Sequence, residues 1–333
     1  MYNGGNPRSG SRILVVRLGA MGDIIHTLPA VASLKHSFPG SRLTWVVESR
    51  WAPLLEGNPF VDRLVRLERT STAALGRAWR ELRAERCDFA VDFQGLIKSA
   101  VAAAMARPER IFGFHQSLAR EPLAALFYSH KVVARGAHKV DQNLELAAGA
   151  GASTVLRTFP IPAGRAEGTL PAGPFVLASP LTGWGAKQWP LDYYTQLGAR
   201  LRGEAGMPLV LNGPPQERAA LEGVPDTALH LSSLEGLIDA TRRATAVVGL
   251  DSGPLHLAAA LGKPGVAIYG PTAPPRNGPY GDTFTVLRSP QAVTSYKRRR
   301  AIDTSMRDIS PDAVFEALKV RLSQRTRPAD CLA

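Results

Sequence analysis

Short apolar runs rich in β-branched residues alternate with stretches of helical periodicity along almost the whole chain. Residues 12–18 (RILVVRL) predict a strand, 23–36 a helix, and 43–48 (LTWVVE) a second strand. Further strand runs lie at 63–67, 89–93 (FAVDF) and 111–114, with helices over 75–86 and after Gly95. Strands separated by helices in this way predict a parallel sheet covered by helices.

Residues 161–174 (IPAGRAEGTLPAGP) carry so much proline, glycine and alanine that neither periodicity survives, which predicts an interdomain linker. The alternation then restarts with strands at 175–178, 208–212, 229–232, 246–250 and 266–269. Helices are predicted over 192–202, 216–222, 234–243 and 254–261, with a final amphipathic helix over 311–324. A chain of 333 residues exceeds one ordinary hydrophobic core. The expected organisation is therefore two Rossmann-like domains, residues 1–165 with a flexible tail over 1–11, and residues 173–333. With their parallel sheets facing a central cleft they would make the α/β architecture called GT-B. No short-period repeat points to a solenoid.

Composition narrows the class. Hydrophobic residues form 45% of the chain and charged residues 20%, the balance of a globular protein. The longest small-apolar run, 100–106, is far below the roughly 20 residues needed to span a bilayer. The polar, glycine-rich N-terminus lacks the apolar core of a secretory signal, so a cytoplasmic location is expected. Cys87 and Cys331 have neither disulfide-framework nor zinc-site spacing. A net charge of +12 favours an anionic partner: nucleic acid, an acidic membrane surface or a phosphorylated substrate. The one dense basic run, Lys297-Arg298-Arg299-Arg300, lacks interleaved aromatics and predicts a solvated face, so no nucleic acid is expected.

In open parallel sheets ligands bind beyond the carboxyl ends of the strands, which singles out three loops. The first, Leu18-Gly19-Ala20-Met21-Gly22-Asp23, has the spacing GxxGD rather than GxGxxG, so a nicotinamide cofactor is not supported, and no cofactor is expected for the chain. Its glycines permit a tight turn and close ligand approach, and Asp23 either caps the following helix or projects as a base. The second, residues 179–190 (SPLTGWGAKQWP), carries one cation, Lys187, which could meet phosphate oxygens. The third, Asp251-Ser252-Gly253-Pro254-Leu255-His256, places Pro254 in the first turn of a helix and leaves free N–H groups suited to a diphosphate. His256 either touches a phosphate or packs in the interior. No DxD motif is present, and Asp88 and Asp92 stand within one apolar strand, so no metal is expected.

At these residues the chain resembles a known family. RILVVRLGAMGDIIHTLPA, DFQGLIKSA, AREPLAALFY, GAKQWP and GLDSGPLHLAAALGKPGVAIYGPT look like the ordered motifs of the lipopolysaccharide heptosyltransferases, from residue 12 to about residue 273, and are most similar to the heptosyltransferase I group. The resemblance implies a GT-B fold and an inverting transfer of L-glycero-D-manno-heptose from ADP-heptose to a Kdo sugar of lipid A, peripherally at the cytoplasmic face of the inner membrane. It implies that Asp23 is the general base and that Lys187 stabilises the departing ADP. Asp251, Ser252, Gly253 and His256 match the donor-binding block, with Thr182 and Glu217 as further donor contacts. Gly22, Lys98 and Arg120 are the implied acceptor contacts. Gly183 departs from the second hydroxyl residue often found there. The basic cluster expected near residues 60–75 is reduced to Arg63, Arg66 and Arg69 followed by Thr70-Ser71-Thr72, which leaves open a different core acceptor. An epimerase sharing the diphosphate site and a non-catalytic ADP-sugar sensor are the rival readings.

Overall fold

A computed structural model describes residues 10–68, 72–84, 86–295, 297 and 299–325. Most of the tail, together with Arg69, Thr70, Ser71, Arg298 and Cys331, lies outside the described residues. The chain divides into two compact units, Met1–Pro162 and Ala163–Ala333.

The first unit contains β1 (Arg12–Val16), α1 (Met21–Ile25), α2 (Leu28–Ser37), β2 (Arg42–Glu48), β3 (Arg63–Leu67), α3 (Thr72–Ala84), β4 (Phe89–Asp92), α4 (Ile97–Met105), β5 (Arg110–Phe114), β6 (His130–Val132) and α5 (Lys139–Gly149). Its six strands are parallel, in the order β3-β2-β1-β4-β5-β6. The central strands are apolar on both faces because helices cover both sides: every residue of β1 after Arg12 is buried, as is all of β4.

The second unit repeats the plan with β7 (Val176–Ala178), α6 (Leu191–Ala205), β8 (Leu209–Gly213), α7 (Arg218–Leu221), β9 (Thr227–Leu231), α8 (Leu234–Arg243), β10 (Ala246–Leu250), α9 (Gly253–Ala260), β11 (Gly265–Tyr269), α10 (Pro274–Asn277), β12 (Phe284–Arg288), α11 (Thr304–Arg307) and α12 (Pro311–Arg325). Its strands are again parallel, in the order β12-β11-β10-β7-β8-β9. In each sheet the first strand of the unit lies beside the fourth, so the connections run to opposite sides from that point. This is the doubly wound order, with a switch point at β1/β4 and another at β7/β10.

The helix expected over 23–36 is two helices. Pro29 occupies the first turn of α2, where its missing N–H costs nothing, whereas inside one continuous helix it would remove a hydrogen bond and clash with the preceding turn. At the break the Thr27 hydroxyl donates to the Asp23 carbonyl at 2.8 Å, and Asn143 of α5 donates to the His26 carbonyl at 3.0 Å. Neither α5 nor the edge strands β6 and β12 was anticipated from the pattern. The segment 161–174 is no free linker over its second part. The Arg165 N–H and guanidinium bond Glu235, and Glu167 accepts from the Ser233 N–H at 2.7 Å and hydroxyl at 2.8 Å, tying this stretch to the start of α8. Among the described residues no helix is long and apolar enough to cross a membrane.

Candidate functional site

At the carboxyl edge of the first sheet, the chain leaves β1 through Arg17 and turns into α1, with Gly22 buried and Asp23 in the first turn. The Asp23 carboxylate lies 2.7 Å from the Arg17 guanidinium and accepts the Ala20 N–H at 3.3 Å, so it caps α1 and also pairs with a buried cation. Arg17 is further anchored by donating to the Phe93 carbonyl after β4. Gly19 is required here because a Cβ would come within 2.8 Å of the Trp51 indole nitrogen. Gln94 accepts from the Leu18 N–H at 3.0 Å, locking the β1 and β4 ends together.

The β4 end is organised by Asp92, which is fully buried. Its carboxylate accepts from the Gln94 N–H (2.8 Å), the Ser99 hydroxyl (2.7 Å) and the Tyr128 hydroxyl (2.6 Å). Burial pushes its pKa above the usual carboxylate range, opposed by those hydrogen bonds. Asp88, at the other end of the strand, accepts the Arg12 N–H at 2.7 Å. The two carboxylates therefore occupy opposite ends of β4. Lys98, in the first turn of α4, lies 3.6 Å from Glu48 at the end of β2. Arg120 lies on the loop after β5, whose backbone packs against Gly95. Asp23, Gly22, Lys98 and Arg120 thus share one edge of one sheet.

The second unit assembles its candidates more tightly. Lys187 reaches from the loop after β7 to the buried Asp251 after β10, Nζ to Oδ2 being 2.5 Å, and lies over the Trp184 ring at 4.3 Å. His256, one turn into α9, brings Nε2 to 3.9 Å from the other Asp251 oxygen. Ser252 is the N-cap of α9, but its hydroxyl turns back to the Leu250 carbonyl at 3.3 Å and makes no capping bond. Gly253 and Pro254 form the first turn. The peptide N–H groups there, together with the helix dipole, suit an anion.

Thr182 is used within its own loop: its hydroxyl donates to the Trp184 carbonyl at 2.6 Å. Glu217 lies in the short 3-10 turn 215–217 after β8, exposed, and shares the sheet edge with Lys187 and Asp251 without contacting them.

Two contributors were missed in the sequence. Arg17 sits at the end of an apolar strand run, where a lone buried cation is itself the signal of a partner nearby. In the basic run expected as a solvated face, Lys297, Arg299 and Arg300 are indeed exposed, but the backbone of Arg299 and Arg300 also packs on the Lys187 loop. The Ala186 N–H donates to the Arg299 carbonyl at 3.1 Å, and a Cβ on Gly185 would stand 1.8 Å from the Arg300 carbonyl.

A family model described as glycosyltransferase family 9 (heptosyltransferase) matches residues 75–305. The chain belongs to this family. The family 9 chain is 33% identical over 302 residues to lipopolysaccharide heptosyltransferase 1 of Escherichia coli (strain K12), covering 84% of this chain and 94% of the relative. It is 32% identical over 305 residues to the protein of the same name from Pseudomonas aeruginosa, covering 84% of each. Among solved structures it is similar to E. coli heptosyltransferase WaaC with ADP, at 27% identity and a TM-score of 0.76, over 93% of this chain and 99% of that one. The family 9 chain is therefore an enzyme, a glycosyltransferase, and its two Rossmann-like sheets are of the expected GT-B class.

Proposed function

We propose that this enzyme is an inverting, metal-independent heptosyltransferase of lipopolysaccharide inner-core synthesis. It moves L-glycero-D-manno-heptose from ADP-heptose to a Kdo sugar of lipid A, at the cytoplasmic face of the inner membrane. The observation that carries the reading is the Lys187 ammonium held 2.5 Å from buried Asp251, beside an α9 terminus with no side-chain cap. A fixed cation and free peptide N–H groups together suit a nucleoside diphosphate. The similarity to WaaC, solved with ADP and with an ADP-2-deoxy-2-fluoro heptose, supports the same donor here.

In this mechanism Asp23 removes the proton from the acceptor hydroxyl. The oxygen forms its bond to the anomeric carbon on the face opposite the leaving group while the bond from that carbon to the β-phosphate oxygen breaks. Negative charge develops on ADP, where Lys187 stabilises it. Asp251, Ser252, Gly253 and His256 hold the donor, with Thr182 and Glu217 at its margin. Gly22, Lys98 and Arg120 receive the anionic acceptor.

The test incubates purified protein with ADP-heptose, with and without Kdo-bearing lipid A, in EDTA, following ADP release and acceptor mass. Acceptor-dependent ADP release with one heptose added is the expected result. Donor binding without transfer to this or any other core acceptor would replace the proposal by the sensor reading.

A further inference from the structure

Five large apolar side chains are exposed side by side on the first unit. Ile97 and Val101 stand one helical turn apart on α4. Leu123, Leu126 and Phe127 project from the 3-10 helix 122–127, with Leu123 61% and Leu126 77% exposed. The two helices are neighbours. The Ile97 N–H donates to Glu121 at 2.7 Å, and the inward faces of both, Ala100 and Ala103 on one and Ala124 and Ala125 on the other, enter one core cluster.

Core packing is thus satisfied by alanines, and the larger residues are the ones left in water. That inverts the usual preference and marks a surface with a partner. Two cations adjoin the patch, Lys98 beside Ile97 and Arg120 beside the 3-10 helix, both exposed. The acidic residues near them are Glu121, engaged by the Ile97 N–H, and Glu48, which is only 10% exposed and lies 3.6 Å from the outward Lys98.

We infer that this face is a docking surface for an anionic phospholipid bilayer. Leu123, Leu126 and Phe127 enter the headgroup boundary, and Lys98 and Arg120 meet lipid phosphates. Apolar side chains ringed by cations are the combination that binds such an interface, and neither component suffices alone. The surface is continuous with the edge that carries Lys98 and Arg120 as acceptor contacts, and a bilayer held there would present a lipid-borne sugar to them. The inference rests on the proposed lipid A acceptor for its purpose, but not for its test.

The test is co-sedimentation with vesicles of phosphatidylcholine, with and without phosphatidylglycerol, for the native chain and for Leu123→Ser/Leu126→Ser. Both positions are outside the core, and circular dichroism and ADP binding verify folding. Native protein is expected to bind the anionic vesicles preferentially. The double variant should bind about tenfold more weakly, an effect of the order of one well-buried aliphatic side chain. Val293→Ser, which removes a 79% exposed apolar residue from the second unit, should bind like the native chain.

Transfer is measured in parallel on a deacylated, water-soluble acceptor. If transfer fails for the native chain while vesicle binding and its loss in the double variant persist, the proposed reaction falls and the docking surface stands. Equal vesicle binding by native and double-variant chains overturns the docking surface. So does concentration-dependent self-association of the native chain that the same substitutions abolish, which would assign the patch to a second copy.

Discussion

The two units share one strand order and one switch point, yet the ion pair at each edge exposes a member of opposite charge. Each edge holds a cation–carboxylate pair: Arg17–Asp23 at 2.7 Å within the stretch that follows β1 in the first unit, and Lys187–Asp251 at 2.5 Å across the switch point in the second. In the first the arginine side chain is 10% exposed and the carboxylate 32%, so the accessible member is the acid. In the second the carboxylate is 6% exposed and the lysine 15%, so the accessible member is the cation. A buried partner fixes its mate and cancels part of its desolvation cost, while the outer member stays accessible. The same scaffold thereby leaves an accessible carboxylate at one edge and an accessible ammonium at the other, the two groups that the proposed transfer uses as base and phosphate contact.

The largest effect is expected at the carboxylate of the first pair. Asp23→Asn keeps the size and the capping oxygen of the side chain but cannot accept a proton, so kcat should fall by about 10²–10⁴-fold. ADP affinity by calorimetry should be unchanged, because the proposed donor site lies in the second unit. A weakened ADP affinity in this variant would contradict the separation of the two edges.

The positive member carries both chemistry and stability. Lys187→Met should lower kcat by about 10²-fold through loss of leaving-group stabilisation. It should also cost about 3 kcal/mol in urea denaturation, because Asp251 is left buried without its counter-charge. Adding Asp251→Asn should recover most of the stability and none of the activity. If stability does not recover, the pair is not what holds this loop. Arg17→Lys sharpens the comparison further. Lysine keeps the charge but cannot bond the Phe93 carbonyl and Asp23 together, so Asp23 loses its orientation, and kcat should fall about tenfold at constant ADP affinity.

Legibility in the sequence followed the same physics. Runs such as RILVV and AVVGL announce central strands because burial on both faces leaves no polar position to confuse them. The post-strand loops were legible for the same reason, since topology alone places their residues at the ligand edge. The edge strands β6 and β12 were not, being short and half-exposed, with patterns such as HKV that carry little periodicity. The break at Thr27 was signalled by Pro29 and obscured by the apolar residues on either side of it. Pairings between distant loops are written in no local pattern. Arg17 with the Phe93 carbonyl, Lys187 with Asp251, and Arg299 and Arg300 on the Lys187 loop exist only after the strands have been set side by side. The exposed patch at Leu123 and Leu126 was hidden for a related reason, because an apolar helix face predicts burial until its neighbours prove to be alanines.

The smallest effect belongs to a residue outside the two ion pairs. Glu167 accepts two hydrogen bonds from Ser233 and pairs with Arg165, and the Ser233 N–H in particular holds its carboxyl below the usual glutamate range. A lowered folded-state pKa means that the folded chain binds the proton less readily than the unfolded chain does. Glu167 therefore contributes stability above the unfolded value near 4.5, and that contribution is lost as pH falls through the lower folded value. Glu167→Gln should cost about 1 kcal/mol at neutral pH, discounted for partial solvent exposure, with kcat and ADP affinity unchanged. Urea denaturation of native and variant chains at successively lower pH should show the two midpoints converging below pH about 4.5. A gap that persists undiminished in acid would mean that glutamine disrupts the packing of residues 163–174 on α8 rather than removing a charge. The second unit would then begin with a packed strap, and the charge of Glu167 would be incidental to it.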